Sequence, residues 1–213
     1  ADWVKGDGHW VVYMEATAEA TEDAPSPPWR MYVIDLRDGS KRLLTSSNAA
    51  HGGVPPSPQV DGNLVIWVQG SAAGRNLSDI MLADLSKPNP SPKRLVSGRT
   101  ILDCGLSASQ VAFLDVTRGR QDLMVFPLSN PSHLLRITKD GLVGRVNVGE
   151  GRVTFEQGPP DADPVSQFQV TLNPLGHPVR VTGPLQPGSV PASNITPGQT
   201  MLAWFDGQGT VVA

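Results

Sequence analysis

Cysteine is almost missing from this sequence. Its 213 residues include one, Cys104. No internal disulfide can form, and a small apolar side chain of this kind is expected inside a core. Long apolar runs are missing too, since none approaches the roughly 20 residues that span a bilayer. No window repeats its apolar residues with a 3.6-residue period, so almost no helix is expected. Charge is sparse at 17% and slightly acidic, with a net −3 and a pI near 5.8. Without a basic stripe, nucleic acid is not an expected partner. The first residue is Ala1 rather than Met, as expected of a processed or shortened chain, and no secretory leader pattern stands at the start.

Apolar residues and turn formers are present in quantity. Hydrophobic residues make up 39%, and the chain holds 22 Gly and 20 Pro. This balance suits a folded chain with many turns between short strands. One phrase, a turn pair followed by an apolar strand ending on an aromatic, occurs five times: GDGHWVVY (6–13), VDGNLVIW (60–67), SASQVAF (107–113), GEGRVTF (149–155) and TPGQTMLAW (196–204). The closing aromatics Tyr13, Trp67, Phe113, Phe155 and Trp204 stand 54, 46, 42 and 49 residues apart. That spacing is close to the period of propeller blades, about 40–50 residues.

The remainder of each unit repeats as well. A second strand follows the phrase (MYVIDL, DIMLADL, DLMVFPL, FQVTL, TVV), then a third (KRLLT, KRLVS, LRIT, VRVT), and a short strand precedes it. The expected fold is all-β: one propeller domain over 1–213, with five blades of four-stranded antiparallel sheets at about 1–46, 54–97, 100–138, 143–182 and 190–213, the last incomplete. Stacked blades bury the faces that a single meander exposes. The outermost strands carry Lys41, Arg42, Lys93, Arg94, Arg136 and Arg180, expected as charges that protect a sheet edge. The five closing aromatics are expected to pack between blades.

The stretch VPPSPQVDGNLVIWV…SDIMLADL…KRLVS resembles the repeat of TolB-like β-propellers of bacterial periplasmic and cell-surface proteins. The first unit, through MYVIDLRDGSKRLLT, is similar. The third and fourth replace the Asp of the D-L pair by Pro127 and Asn173. The resemblance implies an extracytoplasmic, soluble or peripherally attached module that binds or scaffolds a protein partner, often within a larger assembly.

Residues that would carry chemistry are scarce. GLSAS (105–109) is not a nucleophile elbow, and neither a phosphate loop nor a dinucleotide fingerprint occurs. His9, His51, His133 and His177 stand singly, without metal-ligand spacing. No cofactor, metal or catalytic residue is expected. A glycoside hydrolase would need paired carboxylates. Asp2, Asp103, Asp115 and Glu156 lie on or near inner strands, but not at equivalent blade positions.

A meander places the loops between its two middle strands on one face, together with the crossovers to the next blade. There lie the long segments 15–30, 69–78, 115–121 and 156–166, and long irregular loops on a rigid scaffold commonly bind. The candidate partner-binding residues are Glu15, Glu19, Glu22, Asp23 and Trp29 in the first, Gln69 and Arg75 in the second, Asp115, Arg118 and Arg120 in the third, Gln157 in the fourth and Asp206 in the last unit. Trp29, after Pro25, Pro27 and Pro28, is expected as an exposed anchor for a protein, or for a sugar if the module is lectin-like. Glu15, Gln69, Asp115, Gln157 and Asp206 each lie two residues past a closing aromatic. They are expected to share its side and to form a polar set that could take a hard cation or a basic group.

Overall fold

The computed structural model describes residues 3–18, 28–47, 56–74, 76–158 and 166–181, and the backbone of three short strands beyond them. The elements are β-strands and one 3-10 turn, Thr117–Gly119, with no α-helix among the described residues. The first sheet is β1 (Trp3–Asp7), β2 (Trp10–Ala16), β3 (Trp29–Asp35) and β4 (Ser40–Ser46). The second is β5 (Gln59–Asp61), β6 (Leu64–Gly70), β7 (Ser78–Asp84) and β8 (Lys93–Arg99). The third is β9 (Ile101–Ser107), β10 (Gln110–Asp115), β11 (Asp122–Pro127) and β12 (Leu135–Arg136). The fourth is β13 (Val143–Gly149), β14 (Arg152–Gln157), β15 (Ser166–Thr171) and β16 (Val179–Arg180). A fifth, three-stranded, is β17 (Val190–Pro191), β18 (Trp204–Phe205) and β19 (Val211–Val212). Strands neighbour one another in chain order, as in the expected meanders. The chain divides into two compact units, Ala1–Leu106 and Ser107–Ala213.

Turn chemistry sets the register. Gly62 opens the β5–β6 turn at φ +57°, and Glu150–Gly151 joins β13 to β14 with φ +43° and +73°. Positive φ at these central residues matches the twist of the flanking strands. The Asp of the D-L pair builds the next turn: the Arg37 N–H donates to Asp35 Oδ1 at 3.0 Å, and the Ser86 N–H to Asp84 Oδ1 at 3.0 Å. The Arg37 guanidinium also grips Asp35 at 2.5–3.2 Å, and this hydrogen bonding holds the Asp35 carboxyl down to about 2.

In the first unit, Val12, Met14, Met31, Val33 and Leu44 of the first sheet share a core with Val65, Trp67, Ala83 and Leu85 of the second. Leu44 reaches that core through a register shift in the β3–β4 ladder. Polar clamps tie the two sheets together. The Trp10 indole donates to Asn63 Oδ1 at 2.8 Å, and the Gly62 N–H to Asp7 Oδ2 at 2.6 Å. In the second unit, Ala112, Leu114, Leu123 and Val125 of the third sheet pack with Val143, Val153, Phe155, Val170 and Leu172 of the fourth. There the Gly151 N–H donates to Ser107 Oγ at 2.7 Å.

One expectation needs correction. Arg42 is not simply an edge charge. Its guanidinium donates to the carbonyls of Leu85 (2.7 Å), Lys87 (3.1 Å) and Pro88 (3.0 Å), across the seam to the second sheet. An ammonium on a longer, looser stem does not present that fork, so Arg42→Lys should lower stability by about 1–2 kcal/mol. Urea unfolding checks this, and an unchanged midpoint would mean that the carbonyl contacts contribute nothing. The closing aromatics differ in their surroundings. The closing aromatics Trp67 and Phe155 are fully buried between sheets, whereas Tyr13 is half-buried, stacked on Tyr32 with centroids 5.4 Å apart. Trp204 has only its backbone described.

Candidate binding face

The connections β2–β3, β6–β7, β10–β11 and β14–β15 each join the two middle strands of their own sheet. At the base of the first connection the Thr17 N–H and Oγ1 both donate to the Pro28 carbonyl, at 2.8 and 3.0 Å. Glu15 is exposed at the end of β2, opposite Arg30. Glu19, Glu22 and Asp23 lie outside the described residues, as do Arg75 and Asp206.

Trp29 is not an exposed anchor. It opens β3, is 5% exposed, and shares the inter-sheet core with Met31 and Val33. Its N–H donates to Ser47 Oγ at 2.8 Å. The physical reason is strand parity: residues 29, 31 and 33 lie on one face, and that face meets the second sheet. This removes the side chain on which a sugar-stacking site rested.

Among the described residues, Gln69, Asp115 and Gln157 are each engaged by local hydrogen bonds. Gln69 Oε1 accepts from the Trp67 indole at 3.0 Å. Asp115 is buried, and its Oδ1 accepts the Thr117 N–H at 2.9 Å, a local turn bond at the entry to the 3-10 turn that contains Arg118. The Gln157 amide donates to Asp140 Oδ2. Among the described residues no three His, Cys, Asp or Glu side chains come together in a way that would hold an ion.

What sequence reasoning missed is Asp122, the first residue of β11, directly opposite Asp115. It is buried and gathers three donors. The Arg136 guanidinium and Thr138 Oγ1 (3.2 Å) donate to it, as does the Gly141 N–H (3.1 Å), while Thr138 Oγ1 accepts the Leu123 N–H at 3.0 Å. The Gln121 N–H donates to the Gly141 carbonyl, the Val143 N–H to the Gln121 carbonyl, and the exposed Arg120 to the Lys139 carbonyl. The loop after β10 and the crossover to β13 are thereby braced into one ledge bearing Arg120, Lys139 and Asp140. The signal was available in the paired D-I-M and D-L-M openings: Asp79 sits at the equivalent place in β7, is also buried, and pairs with Arg94 at 3.8 Å.

No family model matches the sequence, and no curated protein matches it. Solved structures do. TolB from Acinetobacter baumannii superposes with a TM-score of 0.57 at 16% identity, over 85% of this chain and 42% of that one. The β-propeller domain of the Trilobed protease from Pyrococcus furiosus gives 0.58 at 10%, over 85% and 57%. An acylaminoacyl peptidase from Pyrococcus horikoshii gives 0.57 at 9%, over 84% and 32%. The chain therefore has a TolB-like β-propeller fold and spans about a third to somewhat over half the length of these neighbours. Among the described residues no helix is long and apolar enough to cross a membrane.

Proposed function

We propose that this chain is a non-enzymatic binding module that holds a protein partner on the loop-bearing end of its sheets, as an extracytoplasmic part of a larger assembly. The observation that carries this reading is the braced ledge after β10. Buried Asp122 fixes its backbone through Arg136, Thr138 and Gly141, and Arg120 and Lys139 stand exposed upon it. A surface ordered before contact loses little entropy on binding, and rim charges steer a partner and set its register. Among the described residues, Asp115, Asp122 and Gln157 are engaged in turn and bracing hydrogen bonds, which supports binding over catalysis. The resemblance to TolB-like propellers supports the extracytoplasmic placement, though fold alone does not fix function.

The test is a pull-down with the purified chain from membrane and soluble extracts of the source cells, repeated with Arg120→Glu, Lys139→Glu. The expected result is a defined protein retained by the native chain and lost by the double variant, whose circular dichroism stays unchanged. Equal retention by the variant would move the site off this ledge. Turnover of peptide or glycoside substrates by the chain would overturn the non-enzymatic reading.

A further inference from the structure

We draw no further inference here: the strongest candidate, the basic pair Arg120 and Lys139 on the ledge formed by the loop after β10 and the crossover to β13, belongs to the binding site already described, and nothing in the structure shows what covers it.

Discussion

Replacing Trp67 by alanine should lower the stability of the chain by about 3–5 kcal/mol, the range for emptying a large aromatic site that cannot collapse. The side chain is fully buried in the core shared by the first two sheets, with Val12, Met14, Met31 and Val33 on one side and Val65 and Ala83 on its own. Its indole N–H is also the partner of Gln69 Oε1 at 3.0 Å, so truncation leaves a half-buried amide oxygen without its donor. Tyr13 is the control. It occupies the equivalent place on β2 but is half-buried, with no sheet of its own unit packed on it, and Tyr13→Ala should cost about 1 kcal/mol or less, because little apolar area returns to water. Urea unfolding of both variants at low protein concentration separates them. A Trp67→Ala loss below about 1 kcal/mol would mean that the strand register is wrong, since a slip of one residue exchanges the two faces. A Tyr13→Ala loss as large as that of Trp67→Ala would mean that the Tyr13 face is covered.

These two residues also show what the sequence makes legible and what it does not. Strand alternation and turn pairs lie in short windows, and from them came the four-stranded meanders and the shared side of Trp67 and Gln69. Which face of a sheet is covered is not a local property. Tyr13 and Trp67 close the same phrase, but only Trp67 has a sheet packed upon it within its unit. Trp29 was misread for a different reason. The prolines before it suggested loop, yet Trp29, Met31 and Val33 keep the two-residue period of β3, and weighing that period over the Pro-rich prelude would have placed the indole inside. Asp115 shows a further limit. A carboxylate after an aromatic reads as a ligand until its Oδ1 is found on the Thr117 N–H. The reach of Arg42 to three carbonyls more than forty residues away is invisible to any local pattern.

Asp103 should make the chain more stable in mild acid than at neutral pH. It lies on β9, and burial raises its carboxyl from the ordinary 3.8 to about 6, with the Cys104 N–H (2.8 Å from Oδ1) and the Lys5 charge offsetting part of the rise. A raised folded-state value means that between about 4 and 6 the folded chain keeps a proton that the unfolded chain has released. Stability therefore falls as pH rises through that window, and the full penalty is present above about 6. A shift of about two units corresponds to roughly 3 kcal/mol. Asparagine keeps an oxygen to accept the Cys104 N–H and carries no charge to desolvate, so Asp103→Asn should stabilise the chain by about 2–3 kcal/mol at pH 7.5 and by almost nothing at pH 4. Lys5→Ala should push the other way, deepening the loss at neutral pH because it removes a cation that favours the ionised form. Urea midpoints of the native chain and both variants across this range decide the matter. A gain for Asp103→Asn that is the same at pH 4 and pH 7.5 would trace to packing rather than ionisation. No gain at either pH would mean that the carboxylate is solvated in the folded chain, with β9 more open to water than its burial implies.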